Sequence, residues 1–124
     1  MALDYVPELT AAMGVSNLDR SIAWYESVLG FTLLYRADDM GWCELSTGMP
    51  GVTVGLSQVE SVTQGGGATT VFGVRDIDAA KAVLDAAGVR QDGEIEHLPG
   101  LAKLITFYDP DGNQMMLSEN LMQS

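Results

Sequence analysis

One order of apolar and polar positions runs through this chain twice. Residues 9–15 are a short apolar run that stops at Ser16-Asn17, the way a strand ends at a helix N-cap. The spacing then changes to threes and fours. Leu18, Ile22, Tyr25, Val28 and Leu29 fall on one side of a helix predicted over residues 18–29, and Gly30 supplies its stop. Residues 31–36, 40–47 and 51–59 read as three strands, divided by turns at Asp38-Asp39 and Gly48-Met49-Pro50-Gly51. This first module, about residues 9–59, spells βαβββ.

A stretch over about residues 60–67, ending in Gly65-Gly66-Gly67, reads as a flexible linker. The pattern then starts again. Residues 68–74 predict a strand and residues 76–87 a helix, with Ile77, Ala80, Val83, Leu84 and Ala87 on its apolar side and Gly88 after it. Strands follow around 93–97, 101–108 and 113–119, the last two joined as a hairpin by Asp109-Pro110-Asp111-Gly112-Asn113. The second module, about residues 68–119, is again βαβββ. Individual residues match at an offset of 59: Val15 with Val74, Asn17 with Asp76, Leu18 with Ile77, Asp19 with Asp78 and Ala23 with Ala82. Such a repeat predicts two copies of one supersecondary unit with a ligand cleft where they meet.

At 124 residues the length allows one domain, so both modules are expected to share it, over residues 1–124. The fold expected is α+β: two βαβββ modules forming a curled eight-stranded mixed sheet around a cleft, with the helices outside. No apolar run is long enough to cross a bilayer and no leader-like segment opens the chain. A single cysteine, Cys43, rules out an intramolecular disulfide and points to a reducing cytoplasm, with Cys43 buried and inert. The net charge of −11 makes nucleic acid and anionic membranes poor partners and favours a cationic small molecule. That charge is spread along the chain, eight acidic residues against two basic over 1–62 and nine against four over 63–124, so acidity alone names no ligand.

Residues 15–25 (Val-Ser-Asn-Leu-Asp-Arg-Ser-Ile-Ala-Trp-Tyr), then Leu29-Gly30-Phe31 and residues 107–113 (Phe-Tyr-Asp-Pro-Asp-Gly-Asn), resemble the signature segments of the vicinal oxygen chelate superfamily. That superfamily includes glyoxalase I, bleomycin resistance proteins, fosfomycin resistance enzymes and extradiol dioxygenases. The resemblance covers about residues 9–119 and implies paired βαβββ modules, usually in a homodimer. It also implies where a divalent metal would sit: on His or Glu side chains near the middle of the first and last strands of each module. Counting from the motifs puts Thr10, Thr69 and Met116 at three of those places, and leaves Glu44 as the one carboxylate to survive. Two threonines, a thioether and one carboxylate do not make a site for Zn, Ni, Fe or Mn. The expectation is therefore no metal and no cofactor, and without a Lewis acid neither glyoxalase nor dioxygenase chemistry is expected.

Strand alternation extends these positions into an expected cleft lining. Thr10 brings Ala12 and Gly14, leaving Leu9, Ala11, Met13 and Val15 under the helices. Glu44 brings Trp42 and Ser46, sending Cys43 and Leu45 to the core. Thr69 brings Val71 and Gly73, and Met116 brings Gln114 and Ser118. Trp42 reads equally as sheet packing or as a stacking platform. Glu44 serves either to pair with a cationic ligand or as a general base. His97, the one histidine, reads as a solvated loop residue or a proton shuttle at the cleft mouth. Tyr108 or Thr106 adds a hydroxyl if that parity faces inward.

These residues support a metal-independent small-molecule binding protein of the bleomycin-resistance type, taking an aromatic or cationic compound. The expected ligand-binding set is Thr10, Trp42, Glu44, Thr69, Tyr108, Gln114, Met116 and His97. Three alternatives stand beside it. One is a metal-independent isomerase, epimerase or lyase with Glu44 as catalytic base. Another is a metal-dependent glyoxalase- or dioxygenase-like enzyme with an irregular site of Glu44, His97 and an aspartate. In the last, the cleft is vestigial and the protein acts only as a dimeric partner.

Overall fold

The computed structural model describes residues 4, 6–64 and 68–122. It divides into two compact units, with the boundary between Thr63 and Gln64. The glycines read as the core of the linker, Gly65 to Gly67, lie outside the described residues. In the first unit β1 (Leu9–Val15) leads to α1 (Leu18–Leu29), then β2 (Thr32–Ala37), β3 (Trp42–Ser46) and β4 (Val52–Gln58). A 3-10 turn over Asp38–Met40 stands where a tight turn was expected between β2 and β3. In the second unit β5 (Thr70–Gly73) leads to α2 (Ile77–Ala86), β6 (Glu96–Leu98), β7 (Ala102–Tyr108) and β8 (Gln114–Asn120).

The fold class is α+β, with the two βαβββ modules in place. The eight strands hydrogen-bond as two sets of four, in the orders β1-β4-β3-β2 and β5-β8-β7-β6. In each sheet the first strand lies parallel to the last, Ala12 beside Gly55 and Val71 beside Met116, and the other neighbours are antiparallel.

Both helices begin by the same chemistry. The Asn17 side chain accepts from the Arg20 N–H at 3.0 Å, and the Asp76 side chain accepts from the Ala79 N–H at 3.1 Å. Each cap thereby satisfies one of the N–H groups that a helix start leaves open. A second donor is met from the far end of the last strand: the Leu18 N–H donates to Gln58 Oε1 at 2.9 Å, and the Ile77 N–H to Glu119 Oε1 at 2.8 Å. At the other end Gly30 and Gly88 take left-handed φ values of 74° and 68°, which cost a glycine nothing.

Each helix buries its apolar stripe on alternate residues of its own sheet. In the first unit Leu18, Ile22 and Tyr25 are buried along with Val15, Cys43, Leu45, Val54 and Leu56; in the second Ile77 and Leu84 are buried along with Phe72, Ile105, Phe107, Met115 and Leu117. Each such side chain contributes about 1.5–3 kcal/mol by leaving water. Three residues expected on the core side are outside, Ala87 at the end of α2 among them. Leu9, at the start of edge strand β1, is 65% exposed, and Val83 is 54% exposed because it sits about 100° around α2 from Leu84. Ser21, between Leu18 and Tyr25 on the buried face of α1, is fully covered and was not expected there.

The hairpin between β7 and β8 is held by one buried carboxylate. Asp109 Oδ1 accepts from the Asp111 and Asn113 N–H groups at 2.9 and 2.8 Å, while Oδ2 accepts from Asn113 Nδ2 at 2.8 Å.

Replacing either helix cap, Asn17→Ala or Asp76→Ala, should cost about 1 kcal/mol of stability, read by urea unfolding. Burial also pushes the Cys43 thiol up, and its side chain has no exposed surface. The thiolate is the reactive form, so Cys43 should resist a thiol reagent in native protein and react once the chain is unfolded.

Candidate functional site

With Cys43 and Leu45 turned to α1, the alternation of β3 sends Trp42, Glu44 and Ser46 to the opposite face. Residues paired across a ladder share a face. Glu44 pairs with Gly55 on β4, and Gly55 with Ala12 on β1; Thr53, one step along, pairs with Thr10. Thr10, Trp42, Glu44, Thr53 and Gly55 therefore stand on one surface of the first sheet.

Tyr35 joins them through an irregularity. The β2–β3 register runs Thr32 to Ser46 and Leu33 to Leu45, then shifts, so that Tyr35 rather than Leu34 stands opposite Glu44. The extra residue is a β-bulge, which re-aims every side chain after it. In regular register Leu34 would face Glu44 and Tyr35 would face the helix.

These side chains form one hydrogen-bonded group. Tyr35 donates its hydroxyl to Glu44 Oε1 at 2.8 Å and accepts from Trp42 Nε1 at 3.0 Å. Thr53 donates its hydroxyl to Glu44 Oε2 at 2.8 Å, and Thr10 Oγ1 lies 2.8 Å from Thr53 Oγ1. Both carboxylate oxygens are thus engaged inside the protein. The indole of Trp42 lies against Gly55: a Cβ placed there would sit 2.0 Å from the ring carbon Cη2, so only a glycine admits the ring.

On the second sheet Val71, Thr106 and Met116 pair in a row, and Tyr108 pairs with Gln114. All are on the face away from α2, since Ile105, Phe107, Met115 and Leu117 fill the other. The parity of β7 left open by the sequence is therefore the one that turns Thr106 and Tyr108 to the face of Met116. Tyr108 is already committed. Its hydroxyl donates to Asp92 Oδ2 at 2.6 Å, which pushes its pKa up, and the Arg90 guanidinium lies 4.0 Å over its ring. Thr69 precedes β5 and is exposed. His97 is exposed on edge strand β6 and pairs with Lys103, whose parity is that of Ile105 and Phe107. It therefore belongs to the helix-bearing face, opposite the face of Met116.

The register also corrects the place given to Glu44. It lies on β3, the third strand of its module, not on the last. Ala12 pairs with Gly55 as Val71 pairs with Met116, and 12 and 71 differ by the repeat offset of 59, so the partner of Met116 in the first unit is Gly55. The four places the resemblance assigns to a metal are then Thr10, Gly55, Thr69 and Met116. These lack the imidazoles and carboxylates that a catalytic divalent metal needs and do not fit one. Among the described residues no three His, Cys, Asp or Glu side chains come together as a metal site.

The two units differ on this face as much as they agree beneath it. Thr106, opposite Met116, takes the place that Glu44 holds opposite Gly55. The second sheet thus offers a hydroxyl and a thioether where the first offers a carboxylate and room for an indole. Tyr35 and Thr53 were absent from the sequence reading. Thr53 was accessible to it, because a regular β3–β4 hairpin fixes its parity, whereas Tyr35 was hidden by the bulge.

Residues 9–117 match the model of the Glyoxalase/Bleomycin resistance protein/Dioxygenase superfamily, and the chain belongs to that family. Among solved structures it is similar to a member of this superfamily from Sphaerobacter thermophilus DSM 20745, at 26% identity and a TM-score of 0.80 over 95% of this chain and 98% of that one. It is also similar to TnmS3, an antibiotic binding protein from Streptomyces sp. CB03234, at 24% identity and a TM-score of 0.77 over 97% and 98%. The fosfomycin resistance protein FosX of Listeria monocytogenes shares the fold at 16% identity and a TM-score of 0.79, over 96% and 95%. No curated protein matches the sequence closely enough to count as a relative.

Gly55→Ala should expel the Trp42 indole from its seat. The expected cost is about 1–3 kcal/mol by urea unfolding. In a Trp24→Phe background the remaining tryptophan emission should move to longer wavelength as the ring becomes exposed.

Proposed function

We propose that this protein binds a small molecule without the help of a metal, and that the ligand is an aromatic or cationic compound held at Trp42 and Glu44. The observation that carries this reading is the Trp42 ring laid on Gly55 and tied through Tyr35 to the Glu44 carboxylate. A flat indole offers stacking and cation–π attraction, and the carboxylate beside it adds a counter-charge. The chain's net charge of −11 favours the same class of ligand. The fold shared with TnmS3, itself described as an antibiotic binding protein, is consistent with a binding role. On this reading Thr10, Thr53 and Tyr35 hold Glu44 in place. The protein acts in a cytoplasmic homodimer, where a lone buried thiol is at ease.

Purified protein should retain no stoichiometric Ni, Zn, Fe or Mn after dialysis, as read by elemental analysis. A metal present at one per chain would overturn the metal-independent reading. In a thermal-shift screen, planar cations should raise the melting temperature. Glu44→Gln should weaken a hit by about 10- to 100-fold, the loss of one charge-assisted contact of about 1.5–3 kcal/mol. An unchanged shift in Glu44→Gln would place the ligand elsewhere.

A further inference from the structure

The hydrogen-bonded group on the first sheet has a direction, and the direction is set by chemistry. An indole N–H can only donate and a carboxylate can only accept. Tyr35 lies between Trp42 Nε1 and Glu44 Oε1, so it accepts from the indole and gives its one hydrogen to the carboxylate. Thr53 gives its one hydrogen to Glu44 Oε2. With that hydrogen spent, the Thr10–Thr53 contact has one possible sense: Thr10 donates to Thr53. Every hydrogen in the group therefore points inward along two arms that end on Glu44. What the group keeps for a visitor is lone pairs alone, on Thr10, Thr53, Tyr35 and the carboxylate.

We infer that the Trp42–Tyr35–Glu44–Thr53–Thr10 group is acceptor-only, and that it selects ligands carrying N–H or O–H donors beside an aromatic ring over ligands of like shape that bring only acceptors or a shielded charge. This deepens the binding reading above and rests on it. Arg36 on the neighbouring strand does not alter the balance, because it is on the opposite strand parity and its guanidinium is engaged by Asp19 and Asp38 at 2.6 and 2.9 Å. Selection follows from the cost of facing acceptor to acceptor: a site built to receive hydrogens leaves its own lone pairs and the ligand's unpaired when none is supplied. Tyr35 is a specificity-determining residue here, since among the described residues its hydroxyl is the partner that keeps the Trp42 N–H from being presented as a donor.

Three probes separate donors from charge and from ring stacking: benzylammonium, benzyltrimethylammonium and methyl benzoate. The first two carry the same charge, but only benzylammonium has N–H donors; methyl benzoate is neutral and only accepts. Binding is read from the Trp42 indole N–H signal by NMR, distinguished from that of Trp24 with a Trp24→Phe variant. Benzylammonium is expected to bind at least about tenfold more tightly than either of the others. In Tyr35→Phe the freed Trp42 N–H becomes a donor, and the preference over methyl benzoate should shrink by about tenfold or more. Equal binding of benzylammonium and benzyltrimethylammonium would overturn the acceptor-only inference and leave ligand binding at Trp42 standing. An unchanged preference in Tyr35→Phe would overturn the role given to Tyr35. If no probe moves the Trp42 signal, the binding reading fails and this inference with it.

Discussion

Parallel pairing of the first and last strand in each unit constrains everything else in this protein. With β1 beside β4 and β2 at the far edge, the chain leaving β1 must cross the whole sheet before three antiparallel strands can bring it back. The crossing is made by one helix, which can cover one face of four strands. Half of the residues in every strand are thereby committed to the core and the other half released from it. The last strand also governs where the crossing begins, since Gln58 and Glu119 at the ends of β4 and β8 accept from the first N–H of α1 and α2.

The released faces are where the duplicated units have parted. Beneath them the repeat is kept in role, in the caps Asn17 and Asp76 and in the strand-end acceptors Gln58 and Glu119. Above them Gly55 makes space for the Trp42 ring while its counterpart Met116 fills that space, and Glu44 is answered by Thr106. A face that carries no packing duty tolerates such exchange, because neither a carboxylate nor a thioether there disturbs the helix-side core. In the first unit two arms of hydrogen bonds converge on a single carboxylate.

Much of the scaffold was legible because it obeys short periods. The switch from alternation to three-and-four spacing at Leu18, the Asn17 and Asp76 caps, and the glycine stops located both helices to within a residue. Strand parity likewise put Trp42 and Glu44 on one face, since Cys43 and Leu45 could only face the core. Other features involve partners distant in sequence. Val83 satisfies the helical spacing yet is exposed, because the sheet beneath α2 reaches Leu84 and not one residue further round. The last-strand place that corresponds to Met116 belongs to Gly55 and not to Glu44, which only the pairing of Ala12 with Gly55 and of Val71 with Met116 reveals.

By itself, then, the sequence determined the two-module architecture, the core, and a carboxylate and an indole in register, because each depends on neighbours within about four residues along the chain. The tertiary structure alone decided what those two groups do to one another. A bulge at Leu34, which no local pattern announces, turned Tyr35 toward Glu44, and strand pairing set Thr53 and Thr10 on its other side. The direction of the resulting hydrogen bonds depends on which donors and acceptors meet in space, and that is fixed only when the strands have found their register.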